Sequence, residues 1–238
     1  MTIQEIIEIT DHRPWKLPTD KWKYYQEWDK VLFLHYQVDL KELQEFIPNE
    51  LEIDLFEEKP WVSVVAFTMK NIRFRNFLAF PPISTFHEIN IRTYVKSGDK
   101  SGVYFLSIEG GKRLSCLIAK EISELPYRFS KISRNAHNYQ SINASFNDRL
   151  NIDFTVKEEV NDKSQLDIWL TERYSLFQNT KTEINFFELH HLEWPIHQVE
   201  IKNLELAYPR FQKLVHNRPS KAQYSEGVRV LSWAKEIL

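Results

Sequence analysis

The chain is poor in glycine and cysteine, and each shortage narrows the possible functions. It has five Gly in 238 residues, where proteins average about 7%. Neither GxGxxG nor GxxxxGK[ST] occurs, which argues against a Rossmann or P-loop nucleotide-binding protein. The single cysteine, Cys116, cannot form an intrachain disulfide, and a thiolate zinc site within one chain would need several cysteines. The absence of GxSxG argues against the common serine hydrolases.

Charge of either sign is not in excess, and long apolar runs are missing. Thirty-one Lys and Arg face thirty-three Asp and Glu, whereas nucleic-acid-binding proteins usually show a basic excess or stripe. The one basic-aromatic cluster, residues 73–77, is interpreted as a strand end or loop with solvated arginines. No apolar run approaches the ~20 residues of a membrane-spanning helix, and residues 1–5 lack a signal-peptide pattern. We therefore expect a soluble, cytoplasmic protein with neither nucleic acid nor membrane as partner.

Aromatic and apolar residues are abundant. The chain is 42% hydrophobic and 14% aromatic, with seven Trp, ten Tyr and sixteen Phe, enough for a large core without disulfides. The length fits one large β-rich domain or two small ones. Because no repeat and no Pro-, Gly- or Ser-rich linker is present, we predict a single domain over residues 1–238. Residues 1–25 are predicted to form an irregular N-terminal arm that packs its aromatics on the body.

Short strands dominate the predicted secondary structure. Two hairpins are expected, one pairing residues 51–56 with 61–69 and one pairing 151–160 with 166–170 across polar turns. Further strands are predicted at the following positions: 28–38, 86–96, 102–108, 184–190, 196–201 and 222–233. Many short strands with one or two helices indicate a closed or nearly closed sheet.

Two helices are predicted among these strands. Asp39 is expected to cap a short helix over residues 40–46. Residues 112–124 follow helical spacing and predict an amphipathic helix. Cys116 lies in this second helix, and we interpret it as a packing residue because no catalytic signature surrounds it.

The most informative strand is the one predicted at residues 86–96. Side chains alternate across a strand, so its even-numbered residues all point the same way. These residues are Phe86, Glu88, Asn90, Arg92 and Tyr94. From alternation alone, such a polar face is more often half exposed to water than part of a pocket, and both interpretations stay open at this point.

A resemblance to a known family rests on segments that cover nearly the whole chain. The segments are residues 28–35, 61–69, 86–95, 102–105, 125–127, 172–174, 190–191, 194–195 and 227–228. They resemble the YqjF-like family of bacterial proteins, and the pattern Phe-x-Glu-x-Asn-x-Arg-Thr-Tyr-Val at residues 86–95 is the most specific part. That family is placed in the acetoacetate decarboxylase-like superfamily. The resemblance implies an α+β, mostly β fold: a cone-shaped antiparallel or mixed β-barrel with one or two packed helices and a central small-molecule pocket.

The resemblance does not imply the decarboxylase reaction. Those decarboxylases carry a Schiff-base lysine and a second, activating lysine just after a Phe-Pro pair. The matching stretch here places Tyr127 and Arg128 after Pro126, and neither a phenol nor a guanidinium forms an imine. Lys120 and Lys131 lie nearby in sequence, but Lys120 shares the predicted helix with the apolar stripe and is expected to face solvent. We therefore expect no Schiff-base chemistry, unless a lysine from elsewhere in the chain enters the pocket.

The candidate ligand-binding residues combine the polar strand face with positions that the resemblance places at the pocket. They are Glu88, Asn90, Arg92, Tyr94, Tyr127, Arg173 and His191. Glu88 matches the superfamily's pocket glutamate and would serve as general base if burial raised its pKa. Arg92 would grip a carboxylate through its planar fork, and Tyr127 would donate to a carbonyl or oxyanion. Arg173 is the expected ion-pair partner of Glu88.

The adjacent pair His190 and His191 invites a metal interpretation that the strand geometry disfavours. Neighbouring strand residues point to opposite faces, so the two side chains do not readily bind one ion. We predict no metal and no cofactor, and expect His191 to pack or donate a hydrogen bond.

Three functions remain open from the sequence. The first is an enzyme that acts on a small carboxylate or keto acid by lyase- or isomerase-like acid/base chemistry. The second is a non-catalytic protein that binds a small anionic ligand. The third is a structural or assembly protein whose barrel is filled with side chains. A homo-oligomer is left open, since exposed aromatics at a strand edge would indicate one.

Overall fold

The computed structural model describes residues 2–238 and consists mainly of β-strands. The strands are β1 (Tyr24–Gln37), β2 (Glu52–Ile53), β3 (Trp61–Phe74), β4 (Phe86–Ser97), β5 (Lys100–Gly110), β6 (Tyr127–Phe129), β7 (Lys131–Arg134), β8 (Asn138–Asn143), β9 (Asp148–Glu159), β10 (Ser175–Asn179), β11 (Ile184–His190), β12 (Ile196–Ala207), β13 (Lys221–Ser232) and β14 (Glu236–Ile237). The helices are α1 (Ile3–Glu8), α2 (Leu40–Gln44), α3 (Pro81–Ser84), α4 (Arg113–Ser123) and α5 (Gln165–Thr171), with a 3-10 turn at Pro209–Phe211.

Seven strands close into a ring. Strands β11, β10, β5, β4, β3, β1 and β13 pair in that order, and a short pairing of β11 with β13 completes the circuit. Strands β12, β9, β8 and β7 continue outward from β13 as a wing. Most pairs are antiparallel, whereas β10 and β6 pair in parallel with β5. The predicted mostly β, mixed-sheet fold class is confirmed.

The central parts of the ring strands are buried on both faces, as their continuous apolar runs require. Alternate side chains such as Phe33 and Phe67 point into the ring, where they pack with Trp194. The intervening side chains, including Leu34 and Ile91, join a larger core. The polar even-numbered face of β4 is therefore buried, and the half-exposed interpretation of that face is wrong.

Several local predictions are confirmed. Strands β1, β4 and β5 lie where the alternation places them, and α4 occupies residues predicted to be helical. Asp39 caps α2 by accepting hydrogen bonds from the backbone nitrogens of Lys41 and Glu42.

The predicted hairpin of residues 51–56 with 61–69 is wrong. Only β2 forms in the first segment, and it pairs with β4 at Val95 and Lys96. Strand β3 already has β1 on one edge and β4 on the other. Residues 51–56 therefore find no free edge on β3.

The predicted hairpin of residues 151–160 with 166–170 is also wrong, because the second segment is helix α5. Ser164 and Asp167 form a capping box, each accepting the other's backbone N–H, and this motif starts helices. Leu170 is buried while Ile168 is 43% exposed, which fits a helix rather than a strand. Strand β9 pairs instead with β8 and β12.

The N-terminal arm is more ordered than predicted. Thr2 and Glu5 form a capping box that starts α1, a helix missed in the sequence. Position 1 lies outside the described residues. The expected packing of arm aromatics on the body is confirmed, since Trp22 is buried and Trp15 donates from Nε1 to Glu188.

Helix α4 leaves part of its apolar surface uncovered. Leu114, Leu117 and Ile122 are exposed, whereas Ser115 and Cys116 are buried. Only part of the apolar surface of α4 therefore packs against the core. Within residues 2–238, no helix combines the length and apolar character needed to cross a membrane.

Candidate functional site

A cavity of about 80 Å³ lies inside the ring. One part of its wall is aromatic, with Trp28, Phe33, Phe67 and Trp194, and another carries the polar side chains of β4. Ligand pockets usually measure about 300–1,000 Å³. The cavity therefore has room for a molecule of only a few heavy atoms.

Six of the seven candidate ligand-binding residues line this cavity. They are Glu88, Asn90, Arg92, Tyr127, Arg173 and His191. Three come from alternate positions of β4, while β6 supplies Tyr127, the turn after α5 supplies Arg173, and the turn after β11 supplies His191. Tyr94 does not reach the cavity: its hydroxyl lies 2.6 Å from Ser63 Oγ and donates to the carbonyl of Leu170 at 3.0 Å.

Glu88 is held as a buried carboxyl group with only neutral partners. Tyr127 Oη donates to its Oε2 at 2.8 Å, and Asn90 Nδ2 donates to its Oε1 at 3.2 Å. Burial raises the pKa of Glu88 to about 7, although both hydrogen bonds favour the charged form. The expected ion pair with Arg173 is wrong, because Arg173 Nη1 instead binds Asp54 Oδ2 at 2.6 Å.

The raised pKa of Glu88 makes folding stability depend on pH. The native state keeps a proton that the unfolded chain, with a Glu pKa near 4.5, has already released. The stability contributed by this protonation is present at acidic pH. It is lost as pH rises from about 4.5 through about 7.

Arg92 is a buried cation without a carboxylate partner. It is 5% exposed, and its Nε and Nη2 have no hydrogen-bond acceptor. Across residues 2–238, no carboxylate lies within 4.0 Å of its guanidinium. The ring of Phe33 lies 5.7 Å from Arg92 Cζ, and burial lowers the pKa of the guanidinium. A buried charge left this way is costly.

Three further polar atoms around the cavity also lack partners. These buried atoms are Asn90 Oδ1, Arg173 Nη2 and Trp194 Nε1. Arg173 is otherwise fixed, since its Nε donates to the carbonyl of Trp169 at 2.7 Å. Each buried unpaired group costs about 1–3 kcal/mol. Residues that line the cavity therefore carry both donors and an acceptor without protein partners.

His191 lines the cavity, but both of its ring nitrogens lie against backbone carbonyl oxygens. Its Nδ1 lies 2.8 Å from the carbonyl oxygen of Leu192, and its Nε2 lies 3.2 Å from that of Arg173. Burial lowers the pKa of His191, and the ring packs against Trp194 at 5.5 Å between centroids. This placement agrees with the expected packing and hydrogen-bonding role.

Lysine is absent from the described lining of the cavity. Lys120 and Lys131, the two lysines that neighbour the matching stretch in sequence, are exposed. An imine with a carbonyl ligand therefore has no amine to form on at this site.

A polar chain behind Arg92 was missed in the sequence. His35 Nδ1 lies 2.6 Å from Ser63 Oγ, and its Nε2 lies 3.1 Å from Gln223 Oε1. Burial, with the nearby charge of Arg92, lowers the pKa of His35 to about 3, so the ring is neutral. The available signal was position: His35 follows Phe33 by two residues and shares its strand face. Trp194 lies in an irregular segment, where side chains do not alternate between two faces. Alternation therefore gave no signal that it belongs to the site.

Comparisons with solved structures agree on the fold. The chain superposes on acetoacetate decarboxylase from Legionella pneumophila with a TM-score of 0.66 and 13% identity, covering 97% of this chain and 93% of that one. It superposes on the enduracididine biosynthesis enzyme MppR complexed with pyruvate with a TM-score of 0.60 and 10% identity, covering 93% and 92%. At these identities the likeness establishes an acetoacetate decarboxylase-like fold.

Sequence comparisons establish the family. The protein YqjF of Bacillus subtilis (strain 168), described as uncharacterized, is 31% identical over an alignment of 196 residues, and the match covers 77% of this chain and 79% of that protein. The family model DUF2071, described as an uncharacterized conserved protein, matches residues 25–229. The chain therefore belongs to the DUF2071 family, and it carries that family's sequence on an acetoacetate decarboxylase-like fold.

Proposed function

We propose that the protein binds a small carboxylate or keto acid in the cavity, where Arg92 holds the carboxylate and Glu88 transfers a proton. The observation that carries this proposal is the guanidinium of Arg92, buried with two unpartnered nitrogens and no carboxylate nearby. A planar guanidinium binds a carboxylate through two parallel hydrogen bonds. An anionic ligand would neutralise the buried charge and supply both acceptors.

The other unpartnered groups support a ligand that carries a second polar atom. Arg173 Nη2 and Trp194 Nε1 are donors without acceptors at the same cavity. A carbonyl oxygen adjacent to the carboxylate would accept from such a donor. The fold neighbour MppR has been solved in complex with pyruvate, which is a ligand of this chemistry and of a size that suits a small cavity.

Glu88 supports acid/base chemistry on that ligand. With a pKa of about 7, it is populated in both protonation states at neutral pH, which is the condition for efficient proton transfer. In the proposed step a C–H bond next to the keto carbonyl breaks, the proton moves to Glu88, and the electron pair moves to the carbonyl oxygen. Hydrogen-bond donors at the cavity would stabilise that oxygen. The step is lyase- or isomerase-like and uses no imine.

A filled ring with a structural role is the second candidate, and the size of the cavity favours it. The volume of about 80 Å³ is below the usual range for ligand sites. This candidate predicts that the protein binds no small acid. The two candidates therefore separate in a binding experiment.

A thermal-shift screen with acetate, pyruvate and acetoacetate tests the proposal. A ligand at a hundred times its Kd stabilises the fold by about 2.7 kcal/mol, which raises the Tm by several degrees. Arg92→Met should lose the shift. Arg134→Met is the matched control, because Arg134 also has unpartnered nitrogens but lies outside the cavity, and it should keep the shift. The proposal would be contradicted if none of the three acids raised the Tm. It would also be contradicted if the Tm shift persisted in Arg92→Met.

Catalysis is tested separately by the exchange of pyruvate methyl protons in D2O, followed by proton NMR. The parent protein should accelerate exchange, and Glu88→Gln should lose most of the acceleration while it still binds pyruvate. Equal exchange rates in the parent and in Glu88→Gln would show that Glu88 does not transfer the proton. Only the binding part of the proposal would then stand.

A further inference from the structure

A second, larger hollow opens beside the cavity. It measures about 640 Å³ and lies between α3, α4 and the loop after β3, and we call it the apolar vestibule. Its outer rim includes Phe77, Leu78 and Phe80, which are 68%, 94% and 62% exposed. Ile118 and Ile122 of α4 form another side. This volume lies within the range of ordinary ligand pockets.

The apolar vestibule and the cavity share a wall. Five side chains line both spaces, namely Gln26, Leu125, Tyr127, Leu176 and Leu189. Tyr127 links them directly, because its hydroxyl donates to Glu88 and its ring packs against Phe86. The two spaces are therefore separated by a single layer of side chains.

The cavity and the apolar vestibule differ in the polarity of their linings. The unpartnered polar groups, led by Arg92, lie at the cavity. The described lining of the apolar vestibule contains no acidic residue, and its one charged residue is Arg73. A molecule that filled both spaces would need an anionic end and an apolar end.

We propose that the cavity and the apolar vestibule form one site for an amphipathic carboxylic acid, with the carboxylate at Arg92 and a hydrocarbon tail in the vestibule. This inference rests on the proposed function, because it uses the same anchor and adds the substrate class. The tail passes between Leu125, Leu176 and Leu189 after rotation of these side chains. Large exposed apolar patches mark binding sites in soluble proteins, and this ligand would cover the one next to the cavity.

Calorimetric titration with straight-chain acids tests the inference. The series runs from acetate through butanoate and hexanoate to octanoate, and octanol serves as the tail without a carboxylate. Each methylene buried in the vestibule should tighten binding by about fourfold. Arg92→Met should weaken every acid, whereas octanol should bind far more weakly than octanoate.

Two variants of α4 provide a matched pair. Ile122 lines the apolar vestibule, whereas Leu117 is similarly exposed on the same helix and does not line it. Ile122→Asn should weaken octanoate by several-fold and leave acetate unchanged. Leu117→Asn should leave both affinities at the parent values. Both positions are on the surface, where such changes usually alter stability by no more than about 0.5 kcal/mol.

The outcomes separate the two proposals. If no acid binds through Arg92, the proposed function fails and this inference fails with it. If acetate binds through Arg92 but octanoate binds no tighter, only the amphipathic site is overturned. If octanol matches octanoate and both ignore Arg92→Met, the apolar vestibule is a separate site, and the inference is again overturned.

Discussion

Replacing Arg92 with methionine should make the ligand-free protein more stable. Arg92 has Nε and Nη2 buried without acceptors, and no carboxylate bridges it within residues 2–238. Folding therefore strips water from a charge and returns little in exchange. Methionine fills most of the same volume and carries no charge to desolvate.

The size of the effect follows from the groups involved. Each unsatisfied buried N–H costs about 1–3 kcal/mol, and the contact with the ring of Phe33 returns about 1 kcal/mol. The two unpartnered nitrogens together cost about 2–6 kcal/mol, so the net gain in Arg92→Met is about 1–5 kcal/mol. For a chain of this length, each kcal/mol raises the Tm by about 2–4 °C.

The assay is urea denaturation in a buffer free of carboxylates, with Arg13→Met as the contrasting control. Arg13 is equally buried, but it binds Glu188 at 3.0 Å and donates to the carbonyl of Leu189 at 2.6 Å. Its loss should cost roughly 2–3 kcal/mol, less than a fully broken buried pair because Lys100 still bridges Glu188. If Arg92→Met were destabilised as Arg13→Met is, Arg92 would be a structural residue, and the reasoning for an anion site would be refuted.

Three further predictions concern pH, backbone and thiol. Between about pH 5 and pH 8, the free energy of unfolding of the parent should fall by roughly 2–3 kcal/mol more than that of Glu88→Gln. Urea denaturation of both proteins at the two pH values measures this difference. The same pH dependence in both proteins would contradict the prediction. Gly227→Ala should cost about 3 kcal/mol, because its φ is +124° and a Cβ would lie 2.1 Å from the carbonyl oxygen of Trp28. Gly98→Ala, with open space and a φ of +58°, should cost only about 1–2 kcal/mol by the same assay, and equal costs would refute the steric argument. Burial raises the pKa of Cys116 to about 11, so the native thiol should react with DTNB far more slowly than the denatured one, and equal rates would disprove its burial.

The polar face of β4 could be predicted from the sequence because strand alternation is a local property. Glu88, Asn90 and Arg92 share a face whichever strands lie beside them. Whether that face met water or the ring interior depended on long-range closure by β11 and β13. No local sequence pattern indicates that closure, and only the resemblance to a family predicted a closed ring.

The two wrong hairpins failed for different physical reasons. Residues 51–56 cannot pair with β3 because other strands occupy both of its edges. These strands are β1, which precedes it in the chain, and β4, which follows it. For residues 166–170, apolar alternation was read where the capping box at Ser164 and Asp167 was the stronger signal. The same motif at Thr2 and Glu5 would have predicted α1.

The ion pairs of the site could not be predicted from residue types. Arg173 and Glu88 both line the cavity, but Arg173 meets Asp54, a residue just after β2. Its partner depended on the pairing of β2 with β4 that the sequence did not indicate. This outcome leaves Glu88 with neutral partners only, so no ion pair offsets the rise in its pKa that burial causes.

The structure of crystals soaked in pyruvate tests the central claim most directly. The account predicts a carboxylate in the cavity with its oxygens about 2.7–2.9 Å from Arg92 Nε and Nη2, the range of charge-assisted hydrogen bonds. A cavity that holds no pyruvate, with Arg92 bound instead to a protein carboxylate or carbonyl, would contradict it.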